Sequence, residues 1–206
     1  ARSRSVASFS GISDAYRGLS AEGFKPDFTG YGTLSMDAKV ALLVVEGREV
    51  DEAGAGTSVE IVTEQTPFYG ESGGQVGDSG KITGPDLEVA VVDTAKDPTG
   101  LIIHKGTVLT GTIRKHDTVT LTVDEEKRAA TALNHTATHI LHAALRRVLG
   151  SHVKQAGSLV APDRLRFDFT HFAQVTTEQL EQVERFVNRR IRENVPVGTE
   201  EMGAES

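Results

Sequence analysis

The strongest constraint on the fold is a series of short alternating segments between residues 31 and 123. In stretches such as "TSVEIVTEQTPFY" and "GTVLTGTIRKHDTVTLTVD", apolar residues alternate with polar ones, and glycines or acidic residues separate one stretch from the next. An alternation with period two is typical of β-strands that bury one face. Several short strands at regular spacing indicate a sheet that closes on itself. We therefore predict a small β-barrel domain over residues 28–123.

The residues after this segment change to a helical period. Asp124 is a candidate N-cap, acidic residues follow it in the first turn, and Gly150 marks the end of the pattern. Between these two positions, apolar residues recur at every third or fourth place. The residues predicted to form the core stripe of this helix are Leu133, Ala137, Ile140, Leu141, Ala144 and Val148.

Two strands and a second helix are predicted beyond the first helix. The stretch "HVKQAGSLVAPDRLRFDF" at 152–169 has the pattern of two strands joined by a turn at "APDR". Thr176 and Gln179 form a capping box that begins the second helix. Two helices with an antiparallel sheet, following a barrel, make an α+β fold with a second domain over residues 124–206. Residues 1–27 are rich in Ser and Gly with little periodicity, and are predicted to be a linker or the end of a preceding domain.

The composition excludes several kinds of site. The 206 residues contain no cysteine, so they offer no disulfide, no thiolate nucleophile and no cysteine-type zinc site. The longest apolar run is "VALLVV" at 40–45, which is too short to cross a bilayer. The first ten residues, "ARSRSVASFS", lack the apolar stretch of a signal peptide. We expect a cytoplasmic protein with no membrane partner.

The charge is spread unevenly along the chain. The formal net charge of −7 at pH 7 argues against a general nucleic-acid binder. Between Lys127 and Arg192, however, eleven Lys and Arg stand against five Asp and Glu. A basic segment on an acidic body is suited to a protein that contacts phosphates with one face. A solvated helix surface is equally compatible with the charge alone.

Three histidines, His135, His139 and His142, lie within the nine residues "NHTATHILH". At 100° per residue they fall on the face of the first helix opposite to its predicted core stripe. Side chains four residues apart stand one turn above each other, so His135 and His139 can share one metal ion. Zinc usually has three or four protein ligands, so two histidines make an incomplete site, and solvated histidines are the alternative interpretation.

The stretch "GESGGQVGDSG" at 70–80 is rich in glycine. Clustered glycines can expose backbone N–H groups to a phosphate. This stretch lacks the Lys-Ser/Thr ending of a P-loop and is not followed directly by a helix. A tight turn within the barrel is the favoured interpretation.

Three motifs in this order carry a specific resemblance. They are "TPFYGESGGQVGDSG" at 66–80, "NHTATHILHAALRRVLGSHVKQAGSLV" at 134–160 and "LRFDF" at 165–169. Together they closely resemble the editing region of alanyl-tRNA synthetase, which is shared with free-standing deacylases of mischarged alanine tRNA. The stretch "FTGYGTL" at 28–34 is similar to the entry to the synthetase barrel, which favours a synthetase over a free-standing deacylase. The resemblance extends to about Val197.

The resemblance implies a hydrolase that cleaves the ester of Ser-tRNA(Ala) and Gly-tRNA(Ala), within a synthetase that ligates alanine to tRNA(Ala) with ATP. Glycine cannot be excluded from an alanine pocket by its size, and serine adds only a hydroxyl, so binding alone discriminates poorly. By resemblance, Zn²⁺ is bound by His135 and His139. The same resemblance assigns the editing pocket to Thr138, Gln155 and Ser158.

In the family, a Cys and a His further downstream complete the zinc site. This sequence contains no cysteine, so the editing domain at 124–206 is expected to be incomplete at its C-terminal side. The expected partners are the rest of the synthetase chain and mischarged tRNA(Ala), whose backbone would lie nearest Arg146, Arg147 and Lys154. Two alternatives remain, a free-standing editing deacylase and a tRNA-binding module that does not hydrolyse its ligand.

Overall fold

The computed structural model describes residues 14–21 and 23–198. Residues 1–13 and 22 of the predicted linker, and residues 199–206 of the predicted second domain, lie outside the described residues. The chain divides into two compact units, Ala1–Thr131 and Ala132–Ser206. The described helices are α1 Asp14–Ala21, α2 Glu125–Leu149 and α3 Thr177–Glu193. The described strands are β1 Asp27–Phe28, β2 Ser35–Val45, β3 Arg48–Glu49, β4 Glu52–Gly54, β5 Ser58–Thr63, β6 Gln65–Thr66, β7 Gly80–Gly84, β8 Leu87–Lys96, β9 Ile102–Thr110, β10 Thr112–Arg114, β11 Thr118–Val123, β12 Gln155–Val160 and β13 Leu165–Phe169.

Six strands of the first unit close into a barrel. Their order is β2-β5-β9-β8-β7-β11, and β11 pairs back onto β2. Each pairing in this ring is antiparallel. Closure leaves these strands without a free edge, which removes the unpaired backbone groups of an open sheet. The predicted small barrel and the α+β fold class are confirmed.

The barrel interior explains the alternating sequence pattern. Along β11, Val119, Leu121 and Val123 are buried, while the threonines between them are more exposed. Burying one such side chain contributes about 1.5–3 kcal/mol, so the filled interior supplies most of the stability of this unit. Fully buried members of this core are Val40, Leu43, Ile61, Phe68, Ile82, Val89, Val108, Ile113 and Leu121.

A second apolar cluster on the first unit involves α1, which the sequence analysis did not identify. Leu42, Val62 and Ile103 are buried in a cluster that includes Tyr16 of α1. The hydroxyl of Tyr16 donates a hydrogen bond to the carboxylate of Glu60. A helix of eight residues is too short to be stable alone, so tertiary packing is what stabilises it. A local pattern of two turns carries too little signal to predict it.

One buried histidine belongs to the barrel and not to any predicted site. The ring of His104 lies between two partners, with Nε2 2.8 Å from the Thr66 hydroxyl and Nδ1 2.9 Å from the Ile61 carbonyl. Complete burial lowers the pKa of His104 to about 4, because the charged imidazole would lose its hydration. This histidine is therefore a neutral structural group at pH 7.

A partly buried arginine, Arg128, links the first turn of α2 to the strands and loops of the first unit. Nε of Arg128 donates to Asp78 at 2.9 and 3.0 Å from its two carboxylate oxygens. Nη1 donates to the Gly30 carbonyl at 3.0 Å, and Nη2 donates to the Pro67 carbonyl at 2.8 Å. The planar guanidinium is the side chain that can serve a carboxylate and two carbonyls together. We call this group of contacts the Arg128 clamp.

The glycine-rich stretch forms a tight turn that packs against β8. Ser72 and Gln75 exchange backbone hydrogen bonds of 3.2 and 3.0 Å, and the two glycines between them have positive φ, as in a type I′ turn. Gly77 packs so closely that a Cβ atom there would lie 1.8 Å from the Thr94 carbonyl oxygen. Because several backbone N–H groups of this stretch bond within the barrel, the tight-turn interpretation is favoured over a phosphate loop.

The second unit consists of the larger part of α2, the β12–β13 hairpin and α3. Its core contains Ala144, Leu145, Val153 and Val183, with phenylalanines of β13 and α3 packed against them. The predicted start of α3 is confirmed, because the Thr176 side chain accepts from the Gln179 amide and both bonds of the capping box are present. Among the described residues, no helix is both long and apolar enough to cross a membrane.

The predicted core stripe of α2 is confirmed in part, because Ala144 is buried and Leu141 and Val148 pack against the same core, but it is displaced at Leu133. Leu133 is 72% exposed, whereas the buried residues include Thr138 and Leu145. The packed face of α2 is thus rotated by about 60° from the predicted one, at 100° per residue. Thr138 turns its hydroxyl onto a backbone carbonyl of the same helix, 2.8 Å away. A polar residue satisfied in this way can be buried, so apolar spacing alone misplaces the core.

Candidate functional site

His135 and His139 lie one turn apart on α2 with their rings together. Their Nε2 atoms are 3.1 Å apart, and the rings are stacked with centroids 5.0 Å apart and an interplanar angle of 18°. Two nitrogens bound tetrahedrally to one zinc ion, each at about 2.0–2.1 Å, stand roughly 3.3 Å from each other. The observed 3.1 Å separation is close to that value, and it is also the length of a hydrogen bond between the two rings.

The electrostatics of this pair suit a metal ligand. Burial lowers the pKa of His135, and the neighbouring His139 lowers that pKa further. A histidine with a lowered pKa is neutral at pH 7, and the neutral imidazole is the form that binds a metal. Within residues 14–21 and 23–198, no group of three or more His, Cys, Asp or Glu side chains is arranged to hold a metal. Among the described residues, His135 and His139 are therefore a pair and not part of a larger cluster of such side chains.

His142 does not share the exposed position of the other two histidines. Its ring packs against Phe167 of β13, with centroids 5.0 Å apart. Its Nε2 atom is buried and has no hydrogen-bond partner among the described residues. His142 was predicted to lie on the face of α2 opposite the core. This prediction is wrong, because the packed face of α2 is rotated from the predicted one. A buried nitrogen without a partner costs about 1–3 kcal/mol.

The β12–β13 hairpin runs alongside α2. The side-chain amide of Asn134 on α2 donates to the carbonyl of Ala161 at 2.7 Å and to that of Pro162 at 3.3 Å. These bonds place the turn of the hairpin beside Asn134. Two turns later, His142 contacts Phe167 on β13. These two contact points are about 12 Å apart along the helix axis, so one face of the hairpin lies against α2.

The predicted pocket residues lie on α2 and on strand β12 of this hairpin. Thr138 lies on α2 between the two contact points and is buried. Ser158 pairs with Phe167 in the antiparallel register, and paired residues place their side chains on the same sheet face. Ser158 is therefore on the face that packs against α2. The side-chain amide of Gln155 donates to the Ser158 hydroxyl at 3.2 Å.

Two of the predicted basic residues lie at the C-terminal end of α2, and the third follows the helix. Arg146 and Arg147 are exposed in the last turn of α2, and Lys154 is exposed just before β12. The guanidinium carbon of Arg147 is 5.3 Å from the centroid of the Phe186 ring on α3. Arg190 of α3 is at the same distance from that ring. Sequence spacing did not reveal Arg190 as a neighbour, because it meets Arg147 only through the packing of two helices.

A cluster of three rings that was not predicted from the sequence lies near the start of β12. His152, His171 and Phe172 contact one another, with ring centroids between 4.5 and 5.1 Å apart. Nε2 of His152 is 2.8 Å from Nδ1 of His171. The residues come from two loops that the β12–β13 ladder brings together, and no periodicity in the sequence signals this meeting. We call these residues the ring cluster.

Comparisons with known proteins point to one family. The sequence profile of the family described as tRNA synthetases class II (A) matches residues 2–127. The chain is 58% identical over 202 residues to the alanine–tRNA ligase of Desulfosudis oleivorans, covering 98% of this chain and 23% of that protein. It is 51% identical over 170 residues to the alanine–tRNA ligase of Pelotomaculum thermopropionicum, covering 82% and 19% of the two chains. The chain therefore spans about a fifth of the length of these relatives.

Proposed function

This chain belongs to the alanyl-tRNA synthetase family, within the class II (A) tRNA synthetases, and we propose that its second unit removes wrong amino acids from tRNA(Ala). The proposed reaction is hydrolysis of the ester in Ser-tRNA(Ala) and Gly-tRNA(Ala), in a synthetase that ligates alanine to tRNA(Ala) with ATP. The observation that carries the proposal is the pair of Nε2 atoms of His135 and His139, 3.1 Å apart, on the helix that also bears Thr138.

Hydrolysis of mischarged tRNA can remove amino acids that binding alone discriminates poorly from alanine. An alanine pocket admits glycine, because a missing methyl group changes the binding free energy by only about 1–3 kcal/mol. Serine differs from alanine by one hydroxyl, which an apolar pocket rejects weakly. A second site with polar groups can bind the serine hydroxyl through hydrogen bonds that alanine cannot make. The polar surface formed by Thr138, Gln155 and Ser158 has this character.

The proposed zinc ligands within this chain are His135 and His139. When bound, Zn²⁺ supplies a Lewis acid that polarises an ester carbonyl or lowers the pKa of a water molecule. Support for this pair comes from the stacking of the two rings and from the 3.1 Å between their Nε2 atoms. The further ligands of such an ion would come from residues other than those described here.

Each pocket residue has a role set by its hydrogen bonds. The hydroxyl proton of Thr138 is committed to the Asn134 carbonyl, so the Thr138 oxygen faces a substrate as an acceptor. The amide nitrogen of Gln155 is directed at Ser158, so the Gln155 carbonyl oxygen is a second acceptor. Two acceptors suit the hydroxyl and the ammonium group of a serine ester. We propose that these residues orient the ester for attack by water.

The proposed tRNA contacts are Arg146, Arg147 and Lys154. These cations lie in one unit with the pocket residues, and they belong to the basic part of an otherwise acidic chain. Cations that neutralise phosphates make RNA affinity fall as salt rises. The proposed setting is the cytoplasm, where tRNA is charged.

A tRNA-binding module without hydrolysis is the second candidate, because the described residues supply only two zinc ligands. A free-standing deacylase is less favoured, because the chain is 58% and 51% identical to two alanine–tRNA ligases over 98% and 82% of its length.

The test measures zinc by elemental analysis and serine release from serylated tRNA(Ala), using the 206-residue chain. The described residues supply two ligands of the proposed site, so we expect zinc added to this chain to bind weakly, and we expect His139→Ala to lose this binding together with any serine release. The matched control is His116→Asn, which removes a barrel histidine at a position of positive φ that asparagine tolerates, and which should keep both. Unchanged zinc content in His139→Ala would contradict the proposed metal site. Binding of tRNA without zinc or serine release would support the second candidate.

A further inference from the structure

We propose that the ring cluster of His152, His171 and Phe172 is a stacking platform for an unpaired nucleobase at the single-stranded 3′ end of an RNA. This inference rests on the proposed function, since an aminoacylated tRNA presents such an end. It adds a binding site that neither the motifs nor the spacing of the sequence indicated. The ligand class is a nucleobase of any identity, recognised by the face of its ring.

The three rings form one contiguous surface. His152 and His171 are stacked at 5.1 Å with an interplanar angle of 19°. Phe172 lies 4.5 Å from His152 and 4.9 Å from His171, inclined by 34° and 32°. Phe172 is 83% exposed, although a phenylalanine is usually buried. An exposed ring backed by two others is an arrangement that offers a flat face to a ligand.

The backbone around the ring cluster holds it in place. The amide of Thr170 donates to the Lys154 carbonyl at 3.0 Å, which extends the pairing beyond the β12–β13 ladder toward the rings. Gly150 lies beneath His152, where a Cβ atom would come within 2.8 Å of the His152 Nδ1. The absence of a side chain at position 150 thus makes room for the His152 ring. A platform held in this way loses little conformational entropy when it binds.

The position of the ring cluster fits the end of a substrate. His152 precedes Gln155 by three residues, a distance of about 10 Å in an extended chain. Gln155 is a proposed pocket residue, and the exposed cation of Lys154 lies between them in sequence. A base stacked on Phe172 would therefore stand within reach of the pocket through a short single strand. Lys154 would lie beside the phosphates of that strand.

The chemistry of the surface favours RNA over a protein partner. Two of the three rings are imidazoles, and beyond their mutual hydrogen bond each has a second ring nitrogen that an apolar protein surface would leave without a partner. Every base has a π-face, so aromatic side chains bind unpaired bases without regard to sequence. The exposed cations of the same unit, Arg146, Arg147 and Lys154, attract the phosphates that accompany a base.

The test compares two RNA hairpins by fluorescence anisotropy with the 206-residue chain. Both hairpins share one stem, and only one of them carries a short single-stranded 3′ extension. We expect the extended hairpin to bind about tenfold more tightly, the effect of one base stack. Phe172→Leu, which keeps the apolar bulk but removes the ring, should abolish this preference and leave the affinity for the blunt hairpin unchanged. His152→Ala should reduce the preference in the same way.

The control is Tyr31→Ala, which removes another highly exposed ring, 90% accessible, from the first unit. It should keep the preference for the extended hairpin. A preference that survives both Phe172→Leu and His152→Ala would overturn the platform while leaving tRNA binding intact. An equal loss of affinity for both hairpins in Phe172→Leu would also overturn the platform. A chain that binds neither hairpin would contradict the proposed function together with the platform.

Discussion

Replacing Arg128 with methionine should remove about 4 kcal/mol from the free energy of unfolding of the barrel unit. The substitution keeps a long side chain but deletes every donor of the Arg128 clamp. Asp78 then loses its guanidinium partner, and the carbonyls of Gly30 and Pro67 lose their donors. The substitution removes no side chain of the candidate site, so it tests the stability of the fold alone.

The magnitude follows from the burial of the two partners. The side chains of Arg128 and Asp78 are only 16% and 6% exposed. Removing one partner of a buried ion pair costs about 3–5 kcal/mol, because the other charge stays buried. The Tyr69 amide, 2.6 Å from Asp78, still donates to the carboxylate and offsets part of this cost. Each carbonyl that loses its donor adds about 0.5–1 kcal/mol.

The assay is urea denaturation of the 206-residue chain followed by circular dichroism. The control is Arg114→Met, because the Arg114–Glu52 pair has side chains 58% and 61% exposed and should contribute less than about 1 kcal/mol. The double variant Arg128→Met with Asp78→Asn should recover part of the loss, since no buried charge is then left unpaired. If Arg128→Met and Arg114→Met destabilise equally, the reasoning about buried charge is refuted.

Three further predictions concern the two units. Burial holds the pKa of His104 at about 4, below the ordinary 6.5, so the unfolded chain takes up a proton first as the pH falls. The free energy of unfolding, measured relative to that of His104→Gln, should therefore be constant above pH 6.5. It should fall by about 3 kcal/mol between pH 6.5 and pH 4. A loss of stability that is the same in His104→Gln would contradict this. Gly77→Ala should lower the free energy of unfolding by about 3 kcal/mol, because its Cβ atom would overlap the Thr94 carbonyl. The Cβ atom of Gly73→Ala faces open space, so this control should lower it by about 1 kcal/mol. Equal melting temperatures of the two variants would argue against close packing of the loop. His142→Phe should raise the free energy of unfolding of the second unit by about 1 kcal/mol, because it removes a buried nitrogen without a partner, and a lower melting temperature would contradict this.

Several elements could be predicted because their signals are local. The strands of the barrel show the period of two that one buried face requires, and β11 keeps it without exception. The start of α3 depends on Thr176 and Gln179, which are three residues apart and bond each other directly. The His135 and His139 pair follows from one turn of helix, and the structure places their Nε2 atoms side by side.

Other features depend on residues that are distant in sequence. The Arg128 clamp joins α2 to Asp78, fifty residues earlier. The ring cluster joins His152 to Phe172 across a hairpin. Periodicity within either segment contains no information about such a partner, because the partner is chosen by the packing of whole elements.

The sequence by itself determined the barrel, the helices α2 and α3 with the β12–β13 hairpin between them, the spacing of the histidine pair and the family, but not α1. The tertiary structure alone decided which side of α2 is buried, and hence that Leu133 is exposed while His142 packs on Phe167. The physical reason is that hydrophobic periodicity reports the average preference of a helix face, whereas burial depends on which surface the neighbouring elements cover. Polar side chains such as Thr138 and Asn134 can lie on that surface, because their hydrogen bonds are satisfied there.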